Sequence, residues 1–234
     1  MSGFELLLES AAPATRGRWY GVYPALVSDI RDPESTGRVK VTLPWSPDNG
    51  SDRYEVWARV ATLMGGDNRG SWFIPDVDDE VLVVFEAGDV RRPYVIGGLW
   101  NGKDKPPESM DGAGKNDRKV LRSRNGVQVT LDDSSGRERF VAETPGGQKL
   151  TLQDGPGSIE LADSNGNSIK MEASGITLTT SAVVTINASS LTVSASAVSV
   201  NAGSSNFSGT VIAATVNTPS VVAASYTPGA GNIW

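Results

Sequence analysis

The segments Gly175-Ile-Thr-Leu-Thr179, Val183-Val-Thr-Ile-Asn187, Leu191-Thr-Val193 and Ala197-Val-Ser-Val-Asn201 alternate aliphatic residues with Ser, Thr and Asn. A period of two sends the two sets of side chains to opposite faces of a sheet. Ile, Leu and Val then line an interior, and hydroxyls and amides face outward. All four segments lie within residues 173–234, a stretch without a single Asp, Glu, Lys or Arg. A long β structure that is uncharged yet rich in hydroxyls predicts a rigid rod whose surface serves more than ordinary solubility.

Upstream, the same apolar-x-apolar unit recurs at Val127/Val129/Leu131, Leu150/Leu152, Ile159/Leu161 and Ile169/Met171, and it continues through Ile176/Leu178, Val184/Ile186, Leu191/Val193 and Val198/Val200. From Leu150 onward the first members step by 9, 10, 7, 8, 7 and 7 residues, so the repeat tightens toward the C-terminus. The early units are separated by Asn125-Gly126, Gly146-Gly147, Gly155-Pro-Gly157 and Asn165-Gly166, all strong turn signals. A unit this short cannot close a core by itself. Either one chain coils into a stubby β-helix, or three chains wind about one axis and share the interior. The shared interior explains how a segment poor in large side chains stays ordered. Residues 120–217 are therefore expected to form an intertwined trimeric β-helix, a needle. Its predicted interior is Ile159, Leu161, Ile169, Met171, Ile176, Leu178, Val184, Ile186, Leu191, Val193, Val198 and Val200.

The needle is preceded by a different kind of sequence. Candidate strands Tyr20–Ile30, Gly37–Leu43, Glu55–Ala61, Glu80–Glu86 and Pro93–Gly98 are separated by clusters of Asp, Pro, Gly, Asn and Ser. Five short strands with no helical period between them predict a small barrel of the OB type over residues 18–103. Val39, Val41, Val56, Ala58 and Val60 alternate to line it. Trp19, Trp45, Trp57, Trp72 and Trp100 are assigned to core and inter-subunit packing rather than to ligand stacking. Residues 104–119 read as a linker, residues 1–17 as an extension and residues 218–234 as an apex segment. In the extension, Phe4, Leu6, Leu7 and Leu8 form a candidate arm for docking on a partner. In the apex, Tyr226, Pro228, Ile233 and Trp234 are candidates for closing the tip. The fold class is all-β: an N-terminal OB-type barrel followed by an intertwined trimeric β-helix.

Composition excludes several functions. The chain has 234 residues, no His and no Cys. It therefore has no thiolate metal site, no disulfide framework and no Ser-His-Asp arrangement. Residues 1–117 carry 13 Lys and Arg against 19 Asp and Glu, residues 118–172 carry 8 of each, and the remainder carries none. An acidic barrel is a poor footprint for nucleic acid. The N-terminus lacks the basic region of a secretory signal. No apolar run approaches the roughly 20 residues of a membrane span. Synthesis in the cytoplasm without a signal peptide is expected.

The barrel region resembles the central spikes of contractile injection machines, a family that includes baseplate assembly protein V of contractile phages and the VgrG spikes of type VI secretion. The resemblance rests on Val27-Ser-Asp-Ile-Arg-Asp-Pro-Glu-Ser-Thr-Gly-Arg-Val-Lys-Val41, Trp57-Ala-Arg-Val60, Gly70-Ser-Trp-Phe-Ile-Pro75, Asp79-Glu-Val-Leu-Val83 and Val95-Ile-Gly-Gly98. Phe85, Gly88, Asp89 and Pro93 add to it. It covers roughly residues 20–103. What it implies is a homotrimer with a collar of three barrels, a separate hub or baseplate protein at the N-terminal end and a tip protein or cargo at the apex. It implies no catalytic residue, no cofactor and, since His is absent, none of the iron that some phage spikes bind at the tip. The expected function is mechanical puncture of a target envelope, with transient membrane contact, as part of a phage-tail-like particle.

Three other functions compete with this one. A trimeric fibre shaft or adhesin shares the repeats, but it lacks the barrel motifs. A barrel binding single-stranded nucleic acid has Arg59, Arg69, Arg91 and Arg92 to draw on. An enzyme would draw on Asp76-Val-Asp-Asp-Glu80, a cluster that matches no calcium loop and suits the turn before a strand. The Asn-x-Ser sites at Asn49, Asn187 and Asn206 carry no weight without a secretory signal.

Overall fold

The computed structural model describes residues 17–44 and 54–225. The chain is all-β: strands and turns make up the regular structure of the described residues, with one short 3-10 turn at Glu86–Gly88. None of their helices is long and apolar enough to cross a membrane. Met1–Val183 and Val184–Trp234 form separate units.

The first unit contains the barrel. Its strands are β1 (Val22–Asp29), β2 (Val39–Thr42), β3 (Glu55–Val60), β6 (Glu80–Phe85) and β7 (Pro93–Gly98), close to the five expected from the sequence. A two-stranded hairpin, β4 (Gly65–Gly66) and β5 (Arg69–Gly70), rises between β3 and β6 where the sequence signals only a turn cluster. The barrel closes in the order β1-β2-β3-β7-β6. Its pairings are antiparallel except β3 with β7, where Arg59 faces Tyr94 and Val60 faces Val95 in parallel.

Alternation decides what lies inside. Val39 and Val41, then Val81, Val83 and Phe85, point inward together with Ala25, Val27, Leu43, Ala58 and Val95. Val56 and Val60 pack against this core from partly buried positions. Trp19 caps one end, edge-on to Phe85 at 5.4 Å between ring centroids and to Tyr54 at 6.2 Å. Its backbone N–H donates to the Gly88 carbonyl at 2.9 Å. Leu43 has no exposed surface, and truncating such a side chain leaves a cavity that costs about 2–5 kcal/mol. Leu43→Ala is expected to lower the unfolding free energy of the barrel by that amount, measured by chemical denaturation as a lower midpoint at unchanged slope.

The loop ahead of β2 is fixed by charge. Asp32 accepts from the Thr36 and Arg38 backbone N–H groups at 2.8 and 3.2 Å, and from Arg38 Nη2 at 2.7 Å. The Arg38 guanidinium, more than any other partner, holds the Asp32 carboxyl far below the usual carboxylate range. Gly37 sits there at φ +78°, under the Trp72 ring. A Cβ at this position would lie 3.1 Å from that ring, so a side chain there is strained by the backbone conformation and crowds the ring.

The first unit also contains a seven-stranded sheet. It comprises β8 (Arg118–Arg122), β9 (Gln128–Asp132), β10 (Arg139–Glu143), β11 (Lys149–Gln153), β12 (Ser158–Ala162), β13 (Ser168–Glu172) and β14 (Gly175–Thr179), each pairing antiparallel with the next. The sequence predicts pairing between chains from residue 120. Within the chain, residues 118–179 pair strand to strand: five of the six connections hold a glycine at positive φ that folds the strand back (Gly126, Gly136, Gly147, Gly155 and Gly166), and after the sixth, Ala173-Ser174, Gly175 opens β14 at φ +134°. Asp163 reinforces one such turn, accepting the backbone N–H groups of Asn165 and Asn167 at 2.8 and 2.9 Å. Beyond Thr179 no described residue belongs to a strand, and every residue from 181 to 225 is exposed.

Candidate assembly face and needle segment

Strand register brings the apolar members of the repeat onto one face of the sheet in two parallel rows. One row runs Leu121, Val129, Ala142, Leu150, Leu161, Ile169 and Leu178. The other runs Leu131, Phe140, Leu152, Ile159, Met171 and Ile176, ending at Lys119 on the barrel side. The rows are open to solvent in the single chain. Leu161 is 54% exposed and Ile176 74%. Large apolar side chains aligned this way form a contiguous exposed apolar surface, the mark of an interaction face.

The sequence points to Ile159, Leu161, Ile169, Met171, Ile176 and Leu178, and all six lie in these rows. Phe140 and Ala142 extend the rows without having been singled out from the sequence. Their signal is the Ser135-Gly136 turn followed by an apolar-x-apolar pair, obscured by the charges of Arg137, Glu138, Arg139 and Glu143. Val184, Ile186, Leu191, Val193, Val198 and Val200 fall in the second unit, where all are exposed and none is in a strand. Phe4, Leu6, Leu7 and Leu8, and Tyr226, Pro228, Ile233 and Trp234, lie outside the described residues.

The opposite face of the sheet is mostly polar, with Val120 and the buried Val141 among its residues, and it carries internally paired charged groups. Asp132, only 5% exposed, accepts from Ser134 Oγ at 2.6 Å and from Arg139 Nη2 at 2.9 Å. Ser134 first, and Arg139 after it, pull the Asp132 carboxyl down to about 2 from its ordinary 3.8. A carboxyl depressed in the folded state stabilises above its unfolded value, and that contribution disappears as pH falls toward the folded one. The stability difference between the native chain and Asp132→Asn is therefore expected in full above about pH 4 and to vanish toward pH 2. Acid unfolding followed by circular dichroism measures it.

The two catalytic and nucleic-acid candidates have structural partners. Asp76 pairs with Arg124 at 2.8 Å, tying the turn before β6 to the β8–β9 hairpin. Asp79 Oδ2 accepts the Asp76 backbone N–H at 2.8 Å, so both carboxylates hold that turn. On the barrel wall, Arg38 and Lys40 lie over the Trp57 ring at 5.8 and 5.3 Å, and Arg59 over Tyr94 at 5.4 Å. These cations occupy ring faces that stacked bases would need. No group of three or more His, Cys, Asp or Glu side chains among the described residues is placed to hold a metal ion.

The tryptophans divide. Trp19 packs against the core, while Trp72 and Trp100 are 75% and 69% exposed in the single chain, which leaves them, of the two expected roles, packing between subunits. Both sit on loops rather than strands, where alternation gives no guide to burial. Trp72 shares the region of the β4–β5 hairpin with exposed Leu63, Met64 and Phe73. Trp45 lies outside the described residues.

Comparison with known proteins assigns both parts of the chain. Residues 23–100 match the type VI secretion system and phage-baseplate injector OB domain. Residues 139–205 match the phage baseplate V C-terminal trimerisation domain. Among curated proteins, the chain is similar to the type VI secretion system spike protein VgrG1a of Pseudomonas aeruginosa, with 28% identity over 144 residues, 58% of this chain and 22% of that protein. VgrG1c of the same organism is 26% identical over 158 residues, 64% of this chain and 22% of that protein. The actin cross-linking toxin VgrG1 of Vibrio cholerae is 28% identical over 110 residues, which is 10% of its own length. The chain thus spans at most 22% of each of these relatives.

Proposed function

We propose that this chain, similar in its two parts to the injector OB domain and the trimerisation domain of contractile injection systems, is their central spike, three copies of which lead the injected tube through a target envelope. The observation that carries the proposal is the double apolar row across β8–β14, open on one side in the single chain. Three such faces turned toward a common axis cover one another and leave the polar faces outside. Fully burying a Leu, Ile or Met side chain stabilises by about 1.5–3 kcal/mol, and the rows supply many of them in each copy.

The action is mechanical. A needle passing through lipid is opposed by the cost of desolvating its surface. That cost is about 1–3 kcal/mol for a hydroxyl or amide that loses its hydrogen bonds, and much more for an unpaired charge. Residues 173–234 present only the cheaper groups. Stiffness comes from β-branched residues in extended backbone, with Thr177, Thr179, Thr185 and Thr192 on the outward set. Force is supplied by a contractile sheath outside this chain. No bond is made or broken by the spike, and no cofactor takes part. Phe4, Leu6, Leu7 and Leu8 are proposed to dock on a hub or baseplate protein, and Tyr226, Pro228, Ile233 and Trp234 to close the apex or seat a tip protein.

Gold labelling of a tagged chain in particles purified from its native host tests the assignment. Label at the distal end of the tube supports the spike. Label along the outside of the particle supports a fibre shaft and removes the spike.

A further inference from the structure

We infer that β14 is the strand at which pairing passes from within the chain to between chains, its free edge receiving residues 183–187 of a second copy. The inference rests on the trimeric spike proposed above. The seven-stranded sheet has two edges of opposite character. The β8 edge carries Arg118, Lys119 and Arg122, the charged residues that keep an edge strand from pairing with other chains. The β14 edge is Gly175-Ile-Thr-Leu-Thr179, uncharged and exposed along its whole length. Its outer N–H and C=O groups are an open template for another strand.

The occupant follows from what lies next along the chain. The last positive-φ glycines of the described residues are Gly166, in the β12–β13 turn, and Gly175, which opens β14; Gly203 and Gly209 do not adopt that conformation. Thr180 instead donates to Asn167 Oδ1 at 2.6 Å, and its own hydroxyl accepts the Ala182 N–H at 3.1 Å. These contacts fix the chain as it leaves β14, without a hairpin. The following segment, Val183-Val-Thr-Ile-Asn187, keeps the strand alternation yet belongs to no strand. In three chains winding the same way round one axis, the strand that stacks on β14 comes from the neighbouring copy and runs parallel to it. Ile176 and Leu178 then meet Val184 and Ile186 inside, and Thr177 lies beside Thr185 outside. The sheet formed within each chain sets the register of the shared needle.

The absence of cysteine from the chain makes the test clean. Paired cysteines are introduced in the full chain at Thr177 with each of Val183, Thr185 and Asn187, which covers a shift of two residues either way. The control pair is Lys170→Cys with Thr177→Cys, direct neighbours within one chain. After mild oxidation the control is expected to stay at monomer mass under denaturing conditions. At least one of the three test pairs is expected to give a covalent trimer. A native trimer whose test pairs give only monomer-mass products, while the control pair closes, overturns strand exchange and leaves the spike standing. A native monomer overturns both.

Discussion

Leu161→Lys combined with Ile169→Lys is expected to convert the trimer to monomers at micromolar concentration, with native mass spectrometry reporting 24.6 kDa in place of three times that mass. The two residues are direct cross-strand partners on the apolar face. Each substitution removes about 1.5–3 kcal/mol of burial per copy and places an ammonium where the neighbouring copies would enclose it. An unpaired buried charge costs several kcal/mol even after relaxation, and three-fold symmetry repeats it in every subunit. The barrel core contains neither residue, so the tryptophan fluorescence of Trp19 is expected to persist and to separate lost assembly from lost folding. Thr151→Lys is the companion control. It lies on the opposite face of β11, where it pairs with Val141 and Glu160, and the trimer is expected to survive it.

The second large effect concerns passage through lipid. Thr185→Asp with Thr192→Asp places carboxylates on the outward set of the charge-free segment, three at each level of a trimer. The effective penalty of several kcal/mol per desolvated ion then adds up to tens of kcal/mol for the six carboxylates. The trimer mass is expected to be unchanged, while delivery by the machine in its native host falls at least tenfold. Thr185→Ser with Thr192→Ser keeps the hydroxyls and is expected to retain delivery. Equal activity of the Asp and Ser variants would show that the uncharged surface has no part in puncture.

Much of this arrangement is legible in the sequence because β structure writes its two faces into alternate residues. Val39, Val41 and Ala58 point into the barrel as their spacing requires, and Ile159 to Leu178 share a face for the same reason. Period two does not say which chain supplies the neighbouring strand. Pairing within the chain over 118–179 depends on backbone conformation at Gly126, Gly136, Gly147, Gly155 and Gly166, and the one-letter sequence marks these only as possible turns. The β10 strand escaped because Arg139 and Glu143 frame Phe140 with charge, although the charged side chains belong to the other face. Trp72 and Trp100 show a further limit, since hydrophobicity does not say whether the backbone delivers a side chain to the chain's own core or to a contact between subunits. The docking arm and the apex remain sequence proposals.

Assembly of the chain on itself is the claim from which needle, collar and puncture all follow, and the native mass of the unmodified protein in solution tests it most directly. Light scattering coupled to size exclusion is expected to give three times 24.6 kDa, with no monomer at working concentration. A single species of 24.6 kDa, still β-rich by circular dichroism, would contradict the account, because the double apolar row would then have no partner.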